Sequence, residues 1–180
     1  MREYQRETIS KIVSLINKNI LLPDIQRSFV WKEDQIYKLF DSLMRGYPIS
    51  TFLFWSLTKE DLEKIQKEIK INIRMYKFVD SNDKDSDEEL NRARDDYKLV
   101  LDGQQRLTSL FIALKGCWKQ SYRGKRLTKE LYFDLLSGQK EDEDGILYDF
   151  LFLDGSNDIV KLEQNGDGDS PSKIWVNVKK

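Results

Sequence analysis

The chain has 180 residues, 39% hydrophobic and 34% charged, with 30 Lys+Arg against 31 Asp+Glu and a net charge of −1. That length holds one domain with a real core, or a domain with acidic insertions, and the balanced charge leaves no global basic field for nucleic acid. The absence of histidine excludes Ser-His-Asp triads, Cys-His dyads, histidine zinc ligation and HNH-type nuclease chemistry from these residues.

A metal here needs carboxylates or substrate phosphates, which suits magnesium better than zinc. The single cysteine, Cys117, rules out an internal disulfide framework and fits a reducing compartment. No run of membrane-spanning length and no signal-peptide pattern is present, so the expected location is the cytoplasm.

Thr8 caps an expected helix over 8–18, whose apolar face is Ile9, Ile12, Val13 and Ile16. Pro23 then biases Leu22 toward extended backbone. Ile25-Gln26-Arg27-Ser28-Phe29-Val30-Trp31 reads as a short strand or extended loop, with Arg27 either a structural ion-pair partner or an anion ligand. A second amphipathic helix spans 33–45, with Glu33 and Asp34 in its first turn and Ile36, Leu39, Phe40 and Leu43 as its buried stripe. Gly46 supplies its C′ position and Pro48 its stop. Thr51 to Leu57 is continuously apolar, which predicts a strand in the middle of a sheet. Thr58 with Asp61 resembles a capping box and opens a charged helix to about Ile69. Within it Glu68-Ile69-Lys70 has the E-x-K form of some nucleases, but reads as a surface helix.

Met75 to Val79 is a further strand, and 80–96 is an acidic stretch without apolar anchors, expected as a mobile loop. Next come Tyr97-Lys98-Leu99-Val100-Leu101-Asp102-Gly103-Gln104-Gln105-Arg106-Leu107-Thr108. They read as a buried strand, a tight turn and a helix running to about Lys115, with a core stripe of Leu107, Leu110, Phe111 and Leu114. The turn gathers a carboxylate, a glycine, two amides and a guanidinium at a helix N-terminus. There the dipole and outward N–H groups favour an anion, although a capped turn without ligand uses the same residues.

Beyond Gly116, Lys119, Arg123, Lys125, Arg126 and Lys129 are interleaved with Trp118 and Tyr122. This basic-aromatic cluster is either a solvated loop or a nucleic-acid or partner contact. Strands are expected at 131–135 and 173–178, an apolar segment at 146–153, and a Gly-, Asp- and Ser-rich loop or partial linker at 155–172. Walker A and GxGxxG loops are absent. The ending on Lys179-Lys180 reads as a fragment of a longer protein.

Three blocks occur in order: Ile25 to Trp31 with its Gln-Arg-x-x-x-Trp spacing, Arg45-Gly46-Tyr47-Pro48-Ile49, and Leu101 to Thr108 with its Asp-Gly-Gln-Gln-Arg core. Over about residues 8–178 the chain resembles the N-terminal domain of GmrSD-type modification-dependent restriction proteins, which have a ParB/sulfiredoxin-like fold. The resemblance implies a single α+β domain, a small mixed sheet with packed helices, in which 80–96 and 154–172 are variable insertions.

It also implies an NTP-binding and NTP-hydrolysing regulatory domain, with Mg2+, of a DNA restriction or phage-defence protein. The nuclease half lies further along that protein or on a partner subunit, and DNA is reached through the whole assembly. On this reading Gln26, Arg27, Tyr47, Gly103, Arg106 and Thr108 bind the nucleotide. Asp102, Gln104, Gln105 and Arg106 carry the chemistry: Arg106 grips phosphate, Gln104 or Gln105 orients water, and Asp102 holds magnesium or water or caps the helix. Arg27 and Arg106 are expected to converge on one phosphate pocket. The alternative is a non-catalytic module that binds DNA or a partner through Lys119, Arg123, Lys125 and Arg126.

Overall fold

A computed structural model describes residues 4–25, 27–68, 70, 74–78, 96–122, 125–154, 158–164 and 171–179, with backbone only at 120–122 and 125–126. The expected α+β class holds: among the described residues four helices accompany two sheets. Packing divides the chain into two compact units, one of 1–29, 51–79 and 83–111, the other of 30–50, 80–82 and 112–180. The acidic stretch over 80–95 lies outside the described residues.

In the first unit, Thr8 caps α1 (Ile9–Leu15) by accepting from Lys11 N at 3.2 Å, and Val13 is buried. The sheet has the order β2-β4-β1-β3, from β1 (Ile20–Pro23), β2 (Leu53–Thr58), β3 (Met75–Tyr76) and β4 (Asp96–Asp102). β1 and β4 are parallel and the outer pairs antiparallel, which makes the sheet mixed. Leu21, Leu57, Tyr97 and Leu99 form a buried cluster roofed by Leu62 and Ile65 of α3 (Lys59–Glu68). The cap of α3 is reciprocal: Asp61 N donates to Thr58 Oγ1 at 3.1 Å, and Thr58 N donates to Asp61 Oδ2 at 2.9 Å.

The central position expected for 51–57 is corrected. Among the described residues β2 is an end strand, and Leu53, Trp55 and Ser56 are exposed. Its unbroken apolar run reflects other tasks: Leu57 enters the core, while Phe52, just before the strand, packs at the start of α4.

The second unit places α2 (Glu33–Met44) on an antiparallel sheet of β5 (Trp118–Tyr122), β6 (Lys125–Asp134), β7 (Phe150–Asp154), β8 (Val160–Gln164) and β9 (Pro171–Asn177). Phe40 meets Phe150 at 5.6 Å between ring centroids, and Tyr37 meets Phe152 at 5.8 Å. The Tyr37 hydroxyl donates to Glu33 Oε2 and accepts from Phe152 N, both at 3.0 Å. Burial pushes this phenol above its ordinary pKa; the Phe152 N–H opposes that shift and the Glu33 charge adds to it.

Asp41 is buried within α2, where its Oδ1 accepts from Leu147 N at 3.1 Å and Tyr148 N at 2.9 Å. Gly46 takes φ +71 at the C′ position of α2.

Two further expectations give way here. The loop expected over 155–172 contains β8, paired along β9, so composition alone hid a strand whose order comes from its partner. Of the basic segment, 118–122 and 125–129 are strand rather than loop, with Trp118 paired to Lys129 in register, while residues 123 and 124 lie outside the described residues.

Candidate functional site

β4 delivers the turn. Tyr97, Leu99 and Val100 are buried, so the strand is held to its end, and Asp102 emerges exposed. Gly103 follows with φ +89, a left-handed conformation that glycine adopts without penalty. A Cβ there would sit 2.5 Å from Phe52 Cδ1 and 3.2 Å from Arg106 Nη2. Glycine is therefore required twice, by its dihedral and by the ring against it. α4 (Gln104–Leu114) starts at once, with Leu107 N donating to Gly103 O at 2.9 Å. The positive end of its dipole lies over residues 103–106.

Arg106 is fixed from two sides. Its Cζ lies 5.0 Å from the Phe52 ring centroid, and its Nη2 lies 3.4 Å from Asp102 Oδ2. The Arg106 side chain is 16% exposed and that of Asp102 is 70% exposed, so the ion pair is long and screened while the ring contact is sheltered. The ring therefore gives the guanidinium a sheltered support, and the carboxylate holds it loosely. A planar fork held this way suits bidentate recognition of an oxyanion.

The two glutamines do different work. Gln105 Nε2 donates to Ser28 O at 3.2 Å, which ties the segment carrying Arg27 to the first turn of α4. Arg27 itself is exposed, and Gln26 lies outside the described residues. Gln104 and Thr108 are buried, at 7% and 2% exposure. Gln104 Oε1 and Thr108 Oγ1 have no hydrogen-bond partner among the described residues. At about 100° per residue these two share one side of the helix, and Arg106 lies about 160° around from both.

The core stripe expected on α4 is corrected in the same terms. Leu107 and Leu110 are buried, but Phe111 and Leu114 are only half-buried, while Gln104, Gln105, Thr108, Ser109, Ile112 and Ala113 are buried too. The helix is enclosed over most of its circumference, so polar side chains are carried inside.

Other expected positions fall elsewhere. Tyr47 belongs to the second unit, where its hydroxyl accepts from Arg45 Nη2 at 2.7 Å and its ring lies 4.6 Å from the Arg45 Cζ. Arg45 also donates to Gly145 O at 2.9 Å and Glu141 Oε1 at 2.7 Å, which clips the acidic turn Glu141-Asp142-Glu143-Asp144-Gly145 to the end of α2. Lys119 is half-buried on β5; Arg123 and the side chains of Lys125 and Arg126 lie outside the described residues. Lys129 is paired with Glu33 at 3.1 Å.

Among the described residues no group of three acidic, cysteine or histidine side chains is placed to hold a metal. Asp102 stands at the turn as a single exposed carboxylate. Among the described residues no helix is long and apolar enough to cross a membrane.

Sequence reasoning missed Phe52. It stands about fifty residues before Gly103, and its only local signal was an aromatic at the head of an apolar run.

Fold and site together define an α+β protein whose parallel strand turns through a left-handed glycine into an enclosed helix bearing Gln-Gln-Arg. Residues 9–177 match the family described as GmrSD restriction endonuclease, N-terminal domain, and the chain belongs to that family. It is also similar to an uncharacterized protein of Methanocaldococcus jannaschii, MJ0686, with 34% identity over 163 residues, covering 81% of this chain and 24% of that relative. The chain thus spans about a quarter of the length of the curated relative it matches.

Proposed function

We propose that the chain binds a nucleoside triphosphate at the Asp102–Arg106 turn, hydrolyses it, and thereby regulates a nuclease domain elsewhere in a restriction protein. The observation that carries this reading is the placement of Arg106. Its guanidinium is laid on Phe52 in the first turn of α4, directly after a glycine that admits no side chain. Phosphate oxygens at this point would meet a cationic fork and the positive end of the helix dipole together.

Asp102 is the residue that would hold magnesium carried by the nucleotide, and the ion would supply charge neutralisation of the phosphates. Gln105 ties the segment that carries Arg27 to the first turn of α4 through Ser28 O, and on this reading Arg27 adds a second charge for the phosphates. Membership of the GmrSD N-terminal family supports the regulatory role.

The test is nucleotide binding and phosphate release with ATP, GTP, CTP and UTP in the presence of magnesium. Arg106→Ala is expected to lower affinity at least tenfold while the far-UV circular dichroism stays native. Unchanged binding and turnover in a folded Arg106→Ala protein would refute the assignment.

A further inference from the structure

We infer that Gln104 and Thr108 receive the ribose of the bound nucleotide, so that the turn selects ribonucleotides over deoxyribonucleotides. This rests on the nucleotide reading above and deepens it.

A phosphate near neutral pH offers almost only acceptors. Gln104 Oε1 is also an acceptor, so it cannot face the phosphates; its complement is a donor. It is buried without a protein partner among the described residues, as is Thr108 Oγ1 one turn further on. Residues four apart on a helix place their Cβ atoms about 5–6 Å from each other on one face. Two oxygens so placed match the paired hydroxyls of a ribose. The other donors of a nucleotide sit on the base and differ from one base to the next, whereas the sugar hydroxyls are common to all ribonucleotides.

The position of Arg106, about 160° around α4 from this pair, completes the geometry. Phosphates held over the helix N-terminus reach Arg106 on one side, while the sugar descends the other. Enclosure sharpens the discrimination. A deoxy sugar leaves a buried oxygen unpaired, and a site built to hydrogen-bond a hydroxyl rejects the analogue lacking it.

The experiment titrates the 180-residue chain with the four ribonucleoside triphosphates and their 2′-deoxy and 3′-deoxy forms, with magnesium, by calorimetry. Whichever base binds, the ribonucleotide is expected to bind at least tenfold more tightly than a deoxy form. Gln104→Leu and Thr108→Val are each expected to bring ribonucleotide affinity down to that of the deoxy form lacking the partner hydroxyl, to leave that form within twofold, and to weaken the other deoxy form. Their melting temperatures without nucleotide should equal or exceed that of the parent, because each removes an unpaired buried oxygen. Thr108→Ser keeps the hydroxyl and should keep the sugar preference, which guards against a Leu or Val variant that fails to fold.

Equal affinity for ribo and deoxy forms in the parent, with Arg106→Ala still abolishing binding, overturns this inference and leaves the nucleotide reading standing. Equal weakening of the ribo, 2′-deoxy and 3′-deoxy forms by Gln104→Leu also overturns it, since Gln104 would then face metal or base. Failure of every nucleotide to bind overturns both.

Discussion

Gly103→Ala tests how the turn is held. The new methyl would stand in a left-handed conformation and 2.5 Å from the Phe52 ring. The dihedral alone costs about 1–2 kcal/mol. Pushing a half-buried ring aside adds roughly 1–2 kcal/mol by overpacking, for a total of about 2–4 kcal/mol. At about 2–4 °C per kcal/mol for a chain of this size, the melting temperature should fall by roughly 5–15 °C.

Displacing Phe52 also removes the ring that orients Arg106, so nucleotide affinity should fall with stability. Urea unfolding of Gly103→Ala, Phe52→Ala and the double variant separates the two costs. With the ring gone, Gly103→Ala should cost only its dihedral share, leaving a coupling of about 1–2 kcal/mol. Additive losses, or a Gly103→Ala protein as stable as the parent, would refute the proposed contact between glycine, ring and guanidinium.

In the second unit, Asp41→Ala strips the acceptor from two backbone N–H groups and should destabilise by about 2–4 kcal/mol in urea unfolding, with Asp41→Asn costing less than half of that. Tyr37→Phe leaves the Phe152 N–H without its phenol partner and should cost about 1–2 kcal/mol at neutral pH. Because burial raises the Tyr37 pKa, the folded state holds its proton more tightly than the unfolded chain. The Tyr37 contribution is therefore complete below the ordinary value of about 10 and is lost as pH rises above it. Unfolding curves at pH 8 and 10.5 should show a loss in the parent that Tyr37→Phe lacks. Gln105→Ala should weaken nucleotide binding by releasing the 27–29 segment, so its effect and that of Arg27→Ala should be sub-additive in calorimetry. Full additivity would place Gln105 on the ligand instead.

What was legible in the sequence was local. Thr8 with Lys11, Thr58 with Asp61, and Gly46 after Met44 announce helix ends because the capping bonds span three or four residues. The Asp102–Arg106 turn was legible for the same reason: strand, glycine and helix are contiguous. Position within a sheet is not local. β2 and a buried central strand share an apolar composition, and only the pairing with β4 on one side distinguishes them. β8 lies in Gly- and Asp-rich surroundings and becomes a strand through β9. Within the site, Phe52 was invisible because its contact with Gly103 is set by the β2–β4 register, in which Leu53 stands opposite Asp102. The difference between Gln104 and Gln105 was hidden too, since it depends on Ser28 O, seventy-seven residues from Gln105.

That difference explains how three consecutive residues do separate work. Successive side chains leave a helix about 100° apart, so Gln104, Gln105 and Arg106 face three different surroundings. Gln105 turns toward a backbone carbonyl and acts as a tether. Arg106 turns toward an aromatic face and a loose carboxylate, which orient its charge. Gln104 turns, with Thr108, toward a buried region where neither side-chain oxygen has a partner among the described residues. A glutamine can tether because its amide donates, and it can await a ligand because its carbonyl accepts. On the proposed reading the same residue type stands twice in the motif for opposite halves of its chemistry. Glutamate at 105 should therefore weaken the tether, because a carboxylate there would face the Ser28 carbonyl with no proton to give.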